Sequence, residues 1–309
     1  MAEFQFQLAC AICRAPLSPL DAMRQRCPAD DTIYECRAGI WRCLSPDRQA
    51  YYEQFLREYQ IVRQAEQRGS PDAAYYRALP FADLSGRFTA DWQIRARSFR
   101  AFEREVLLPV ERKRQRSLRV IDLGAGNGWL SYRLARRGHV VAAVDLLTNP
   151  LDGLGAHLHY DASFTPVQAE FDRLPFVEQQ SDLIIFNASL HYSTNYATTL
   201  GEALRVLRPD GLLVILDSPV YRSADSGAQM VREREAAFTQ AYGFPSNALP
   251  SENYLTPQRL NDLAAHCQLH WKFIQPFYGW RWMLRPIKAR LLRRREPARF
   301  AVIVGQRWT

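Results

Sequence analysis

The amino-acid sequence predicts an α/β fold built on a doubly wound, mostly parallel sheet of seven strands. Short apolar runs alternate with helical segments from Leu118 onward, and this alternation is typical of strand–helix–strand units. The runs are continuously apolar, as expected of parallel strands covered on both faces. With 309 residues, 47% of them apolar, the chain is long enough for one large domain with additions or for two domains.

The elements of this sheet can be placed in order along the chain. The strands are predicted at 118–123, 140–144, 167–169, 183–186, 212–216, 269–274 and 300–305. Helices are predicted between them at 129–137, 196–207 and 256–267. The tripeptide Pro209-Asp210-Gly211 predicts a turn before the fifth strand.

Two further regions precede the predicted sheet. Residues 1–43 contain five of the six cysteines and lack a regular pattern, whereas residues 44–117 have helical spacing and predict a lid or linker. In that lid, one helix should begin after Ser45, and a second, at 91–108, should be closed by Pro109. The predicted division of the chain is therefore 1–43, 44–117 and 118–309, with a basic insertion at 278–299.

The first strand runs into a glycine-rich loop at 122–128, and a helix follows. Glycine lets the backbone turn tightly and approach a ligand closely, and the helix N-terminus adds a positive field. A dinucleotide fingerprint would need a third glycine where Trp129 stands, and the Gly-Lys-Ser/Thr of a phosphate-binding loop is absent. Asp122, two residues before the first glycine, suits the ammonium group of an amino acid. Asp145 ends the second strand, where doubly wound folds place an acid that accepts from ribose hydroxyls.

Taken in order, these motifs resemble those of the class I S-adenosylmethionine-dependent methyltransferases, with a methyltransferase type 11-like core. Residues 170–176 resemble the family's acid-x-x-x-Leu-Pro-Phe signature, 181–187 its fourth motif and 207–211 its late Leu-x-Pro-Gly-Gly turn. The resemblance implies a Rossmann-like methyltransferase fold and S-adenosylmethionine as cofactor. The cofactor-binding residues that it implies are Asp122, Gly124, Ala125, Gly126, Gly128, Asp145, Leu146, Glu170, Phe171 and Asn187. The chain departs from the family at 148–155, which is loop-like where a helix is usual.

Methyl transfer from a sulfonium needs alignment of donor and acceptor more than it needs an acid or a base. His191, just beyond the fourth strand, is the candidate catalytic base, and the alternative is a histidine that only packs near the cofactor. Candidate substrate residues are Tyr192, Asp217 and Tyr221. The acceptor is expected to be a small or lipid-like molecule. A ribosomal RNA base and a non-catalytic role as an S-adenosylmethionine-binding partner protein are the alternatives.

The cysteine-rich segment resembles half of a zinc ribbon. Cys10 and Cys13 form a Cys-x2-Cys pair, Cys27 follows, and Asp30 occupies the place of the fourth ligand. The segment is expected either to bind zinc through these four residues or to be a metal-free relic of such a site. A ribbon before this kind of domain also resembles the ribosomal RNA guanine methyltransferases, and it is on this resemblance that the RNA alternative rests.

The net charge of +8 is concentrated near the end of the chain. Between Arg281 and Arg299, eight basic residues accompany one acid, Glu296, and apolar residues recur at helical spacing. This segment could follow RNA, contact an anionic membrane surface or simply be a solvated helix. No apolar run reaches the ~20 residues of a transmembrane helix, and the start of the chain does not resemble a signal peptide, so a cytoplasmic location is expected.

Overall fold

The computed structural model describes residues 6–308, which form an α/β structure around one sheet of eleven strands. The strands are β1 (Ser18–Pro19), β2 (Arg24–Arg26), β3 (Ile33–Arg37), β4 (Ile40–Arg42), β5 (Arg119–Leu123), β6 (Val140–Asp145), β7 (Thr165–Gln168), β8 (Ser181–Asn187), β9 (Leu207–Leu216), β10 (Leu269–Ile274) and β11 (Val302–Arg307). Their order across the sheet is β1-β2-β3-β4-β7-β6-β5-β8-β9-β11-β10.

The seven strands predicted from the sequence are the last seven in chain order, and the doubly wound fold is confirmed. β7, β6, β5, β8 and β9 pair in parallel, whereas β11 pairs antiparallel with both of its neighbours, β9 and β10. The strand order reverses direction along the sheet at β5, which lies between β6 and β8. This reversal creates a crevice at the carboxyl ends of the strands, where doubly wound folds bind their ligands.

The first four strands were not expected, because residues 1–43 have no regular pattern. They form an antiparallel meander, and its last strand joins the main sheet when Trp41 pairs in parallel with Val167 of β7. The strands have two to five residues each, too few for hydrophobic alternation to reveal them. The cysteine-rich segment is therefore an extension of the central sheet.

The helices are α1 (Pro46–Ala65), α2 (Ala73–Ala78), α3 (Thr89–Phe102), α4 (Leu108–Arg114), α5 (Trp129–Ala135), α6 (Tyr196–Val206), α7 (Ala224–Tyr242), α8 (Pro257–Cys267), α9 (Trp280–Met283) and α10 (Arg285–Leu291). Short 3₁₀ turns lie at Leu154–His159 and Leu190–Tyr192. Among residues 6–308, no helix combines the length and apolarity needed to span a membrane.

Two local predictions differ from the structure. Pro109 does not close the helix before it, because a π-helical stretch at Glu103–Leu107 shifts the hydrogen-bond register and places the proline in the first turn of α4. A proline in a first turn has no intrahelical amide bond to lose. The predicted turn at 209–211 lies inside β9, next to an irregularity in its pairing with β8.

The core lies on both faces of the sheet. On β5, Ile121 and Leu123 belong to the apolar cluster on one face, while Val120 belongs to the cluster on the other. α6 and α8 cover the first face, and α3 and α5 cover the second. Because helices cover both faces of the sheet, a ligand would reach the crevice at the carboxyl edge of the strands.

Candidate active site

The loop after β5 has the conformation that its glycines allow. Gly124, Gly126 and Gly128 all have positive φ, at 75°, 55° and 80°. A Cβ at Gly124 would collide with the side chain of Ser189, and one at Gly128 would lie 2.6 Å from the ring of Phe164. Gly126 instead faces open space, with its nearest neighbour 4.0 Å away. The loop therefore combines tight packing at its ends with an open backbone edge in the middle, as a ligand-binding loop requires.

Asp145, at the end of β6, is tied to this loop. Its carboxylate accepts hydrogen bonds from the backbone N–H of Gly126 and of Leu147, both at 2.8 Å. Burial raises the pKa of Asp145, and the two amide donors oppose that increase. The side chain is thus held at the strand end, in the position where this fold contacts ribose hydroxyls.

Asp122 lies beneath the loop. The side chain is fully buried, Ser131 Oγ donates to one carboxylate oxygen at 2.8 Å, and the other oxygen has no hydrogen-bond partner among residues 6–308. Burial raises the pKa of Asp122 to about 7. An unsatisfied buried carboxylate oxygen is costly, and a cationic group or a water below the loop would relieve that cost.

A cavity of about 760 Å³ lies between the glycine loop and α1, and we call it the lid cavity. Its floor contains Gly124, Gly126, Asp145, Leu146 and Phe171. The side of the cavity formed by α1 is largely aromatic and apolar, consisting of Tyr52, Phe55, Leu56 and Tyr59. Helix α1 therefore covers the edge of the sheet where the sequence placed the cofactor.

Glu170, which the resemblance implied as a cofactor-binding residue, does not line this cavity. Arg48 binds both of its carboxylate oxygens, with distances of 2.9 and 2.6 Å, and the hydroxyl of Tyr52 donates to it at 3.0 Å. Arg48 and Tyr52 both belong to α1, so this buried acid fastens the lid. The cavity is lined instead by the next two residues, Phe171 and Asp172. Asp172 was missed by the sequence analysis, and burial raises its pKa.

A second cavity of about 1060 Å³ adjoins the first, and we call it the arginine cavity. The two cavities share Tyr59, Gly124, Gly126, Ala188 and Tyr192. The arginine cavity also contains three arginines, five aromatic or imidazole rings and two strand-end polar residues: Arg63, Arg68, Arg95, Tyr75, Trp92, Trp129, His191, Phe300, Asn187 and Asp217.

The three arginines of this cavity have different partners. Arg63 is bound by Asp152, with Nη2 at 2.9 Å from Oδ1, and Arg68 is bound by Glu66 at 2.9 Å. Arg95 lies 5.2 Å from the centre of the Trp92 ring and has no ion pair within residues 6–308. Arg95 is therefore the cavity's cation that is free to meet a polar group of a ligand.

His191 lies in the wall of the arginine cavity as a neutral imidazole. Burial, together with the positive charges of Arg234 and Arg95, lowers its pKa to about 3. Its Nδ1 has no hydrogen-bond partner in the described part of the chain. A general base works best with a pKa near the working pH, so the geometry favours contact or orientation over proton abstraction.

Two strand ends in the cavity have strained backbones. Ala188 follows β8 and Asp217 follows β9, and both have positive φ, at 54° and 51°. Such strain in a non-glycine residue costs roughly 1–3 kcal/mol and is concentrated at ligand sites. The Asp217 carboxylate accepts from Ser98 Oγ, its second oxygen is unpaired among residues 6–308, and burial raises its pKa.

The remaining predicted residues lie in different places. Ala125, Asn187 and Tyr192 line the arginine cavity, whereas Gly128 caps α5 and packs on Phe164. Tyr221 does not reach either cavity. It is buried, its hydroxyl accepts from Arg295 at 3.1 Å, and its ring packs edge-on against Tyr254. A tyrosine five residues after a strand end can turn away from the crevice, and its sequence position alone does not reveal the direction.

The four predicted metal ligands are brought together, although they come from two separate turns. One ligand atom from each of Cys10, Cys13, Cys27 and Asp30 lies within 4.8 Å of all the others. Cys13 Sγ lies 3.4 Å from Cys27 Sγ, and Cys10 Sγ lies 3.2 Å from an Asp30 oxygen. The thiols are free, not disulfide-bonded.

Comparison with known proteins agrees with this geometry. Residues 121–215 match the family described as a methyltransferase domain. The chain therefore contains a methyltransferase domain, and it has the class I fold predicted from its motifs.

Individual curated relatives match over part of the chain. An uncharacterized methyltransferase of Mycobacterium bovis is 33% identical over 162 residues, covering 48% of this chain and 63% of that protein. The ubiquinone/menaquinone biosynthesis C-methyltransferase of Vibrio vulnificus is 32% identical over 118 residues, covering 33% of this chain and 43% of that protein. Among solved structures, the 1,6-didemethyltoxoflavin N1-methyltransferase of Burkholderia thailandensis covers 95% of this chain and 99% of its own, with 18% identity and a TM-score of 0.49. This chain thus spans less than two thirds of the length of the two curated relatives.

Proposed function

We propose that this protein transfers a methyl group from S-adenosylmethionine to a small or lipid-like acceptor. The observation that carries the proposal is Asp145, whose carboxylate is fixed by the Gly126 and Leu147 amides at the boundary of the lid cavity. Beside it, Leu146, Phe171 and Asp172 offer an apolar slot with one polar edge, which suits an adenine ring.

The two adjoining cavities would bind different reactants, the cofactor in the lid cavity and the acceptor in the arginine cavity. Residues of the lid cavity would hold the adenosine part, and the open backbone edge at Gly126 would face the amino-acid part. The cofactor supplies an activated methyl group on a cationic sulfonium. The protein's task is to align that group with the acceptor and to exclude water, and alignment alone can be worth ~7–11 kcal/mol. The aromatic face of α1 provides the exclusion.

The arginine cavity is the proposed acceptor site, because it meets the lid cavity at Ala188 and Tyr192. Its aromatic walls favour a compact, partly apolar molecule, and Arg95 would hold a polar group on it. This supports a small or lipid-like acceptor over a base within a folded RNA. Arg95→Gln is expected to raise KM for the acceptor and to leave affinity for S-adenosylmethionine unchanged. An unchanged KM would remove Arg95 from the acceptor site.

We also propose that Cys10, Cys13, Cys27 and Asp30 hold a zinc ion. Tetrahedral zinc has Zn–S distances near 2.3 Å, and this places neighbouring ligand atoms at separations like those in the cluster. Two groups outside the four ligands lie against Cys10 Sγ and would donate to its thiolate: the Ile12 N–H at 3.3 Å and the Tyr34 hydroxyl at 3.1 Å. Four protein ligands leave no open position, so the ion would stabilise the first strands and take no part in methyl transfer.

The direct test of the activity uses methyl-labelled S-adenosylmethionine and a cell extract separated into small-molecule, lipid, RNA and protein fractions. Label is expected in the small-molecule or lipid fraction. Label confined to RNA would support the alternative acceptor and contradict the proposed one. Binding of the cofactor with no label in any fraction would contradict turnover while leaving the cofactor site intact.

A further inference from the structure

The segment from Phe277 to Leu292, which we call the tail surface, exposes an unusual number of large apolar side chains. Trp280 is 72% exposed and Leu291 is 79% exposed. Exposures of at least 50% are also found at Phe277, Met283, Leu284, Ile287 and Leu292. Soluble surfaces carry isolated apolar residues without consequence, but a concentration of them marks an interaction site.

These side chains recur at helical spacing. Trp280, Met283, Ile287 and Leu291 are separated by three, four and four residues across α9 and α10, so they share one side of the helical segment. Their exposure shows that this side faces away from the protein. The tail surface is therefore an amphipathic element whose apolar side is turned outward.

Positive charges flank that apolar side. Five exposed basic residues have no ion pair or side-chain hydrogen bond anywhere in the described range 6–308: Arg281, Lys288, Arg290, Arg293 and Arg294. Arg295, by contrast, is bound to Glu233 at 2.8 Å and Arg299 approaches Glu296. The unpaired charges thus coincide with the exposed apolar side chains.

The tail surface is anchored directly to the arginine cavity. The Trp282 ring lies 5.4 Å from the ring of Phe300, which lines that cavity. Just before α9, the Tyr278 hydroxyl lies 2.8 Å from Ser98 Oγ, and Ser98 in turn donates to Asp217 in the cavity wall. A binding partner in contact with the tail surface would therefore lie next to the proposed acceptor site.

We propose that the tail surface docks the protein on an anionic lipid bilayer, with the apolar side chains entering the headgroup region and the basic residues meeting lipid phosphates. Amphipathic helices with basic flanks and Trp, Leu and Ile on the opposite face bind in this way, and each basic residue near such a surface adds ~1 kcal/mol. RNA fits less well, because Leu, Ile and Met side chains cannot stack on bases as aromatic platforms do.

The test is co-sedimentation of the full chain with phosphatidylcholine vesicles prepared with and without phosphatidylglycerol. Binding is expected to the vesicles that contain phosphatidylglycerol. The double variant Ile287→Asp/Leu291→Asp should weaken it about tenfold or more, because two apolar side chains no longer enter the bilayer. Lys288→Ser/Arg290→Ser should also weaken it, and more so at low salt.

Matched controls make the outcome specific. Leu84→Asp/Leu158→Asp changes two side chains that are 58% and 73% exposed elsewhere, and Arg112→Ser/Lys113→Ser removes two exposed charges on α4. Both controls should bind vesicles as the native chain does. Circular dichroism checks that every variant is folded.

Four results would overturn the proposal: no vesicle binding, equal loss in the controls, sensitivity to the charge variant alone, or steeply salt-dependent binding to single-stranded RNA without binding to vesicles. Self-association that the Ile287→Asp/Leu291→Asp variant abolishes, seen by sedimentation velocity without vesicle binding, would assign the surface to a second copy instead. Because vesicle binding is measured without the cofactor, it can fail while the proposed activity stands, and the reverse also holds.

Discussion

At the scale of single residues, the burial of Asp122 makes the free energy of unfolding depend on pH. Its pKa of about 7 in the folded protein exceeds the ordinary value near 3.9, so the folded state keeps a proton that the unfolded chain has already lost. This contribution to the free energy of unfolding therefore falls as pH rises from about 4 to about 7. Buried histidines with lowered pKa, such as His191, act in the opposite direction, so only a difference between variants isolates Asp122.

Asp122→Asn removes the titration and keeps the shape of the side chain. The difference in free energy of unfolding, variant minus native, should increase by roughly 2–4 kcal/mol between about pH 4 and about pH 8. The native protein loses the contribution of the protonated Asp122 over this range, and the variant has no such contribution to lose. Denaturant unfolding at a series of pH values measures this shift. Asp262→Asn, at an exposed position on α8, is the control for the general effect of an Asp→Asn change. A flat difference for Asp122→Asn would show that the carboxylate is ionised in the folded protein.

His191 provides a second residue-scale prediction. With a pKa near 3, its imidazole is a weak base at neutral pH. His191→Gln should keep affinity for S-adenosylmethionine and reduce kcat by less than about tenfold, whereas loss of a true general base costs ~10²–10⁴. Steady-state kinetics over a range of pH distinguishes the two. A loss of a hundredfold or more, with unchanged cofactor affinity, would restore the catalytic assignment.

At the scale of elements, α1 is held over the lid cavity by one buried contact set. Removing Arg48 would leave the buried Glu170 carboxylate with only the more distant Arg173, 3.8 Å away, and breaking a buried pair typically costs ~3–5 kcal/mol. Arg48→Ala should therefore speed amide exchange across α1 and speed dissociation of S-adenosylmethionine, as measured by hydrogen exchange and stopped flow. Arg57→Ala, at an exposed position on the same helix, should do neither. If both variants behave alike, the Arg48–Glu170 pair does not fasten the lid.

The cysteine-rich segment is the second element with its own prediction. Purified protein should contain about one zinc ion per chain, and Cys13→Ser should lose it, whereas Cys267→Ser, outside the cluster, should keep it. Asp30→Cys should retain zinc in the presence of a chelator that strips the native protein, because a fourth thiolate is a stronger ligand. Elemental analysis before and after chelation measures the zinc content of the native protein and of the three variants. A native protein without zinc, after refolding in its presence, would contradict the site.

The elements also show why some features were predictable and others were not. The strands of the central sheet and the loop at 122–128 could be predicted because their signals are local: apolar runs, glycine spacing and an acid at a strand end. The partnership of Arg48 with Glu170 joins residues 122 positions apart, and no local pattern encodes it. The π-helical stretch before Pro109 depends on hydrogen-bond register, which side-chain periodicity does not specify. Tyr221 turns away from the crevice because of tertiary contacts with Arg295 and Tyr254.

At the scale of the whole molecule, one sheet unites the three regions. The strands of the cysteine-rich segment, β1–β4, extend it at one edge. The cavities open at its carboxyl end, and α1 and the tail surface overhang that end from separate parts of the chain. If the tail surface lies on a bilayer, the arginine cavity is positioned beside the lipid headgroups. A lipid-like acceptor could then enter without crossing water, and this arrangement links the proposed activity to the proposed docking.

The central claim is that Asp145 and the glycine loop form an S-adenosylmethionine site. Its most direct test is isothermal titration calorimetry of S-adenosylmethionine against the native protein and Asp145→Asn, with circular dichroism confirming that both are folded. We expect saturable binding by the native protein and a loss of about tenfold or more in the variant, since hydrogen bonds to a charged group contribute ~1.5–3 kcal/mol. No binding by the folded native protein, or equal binding by both, would contradict the account.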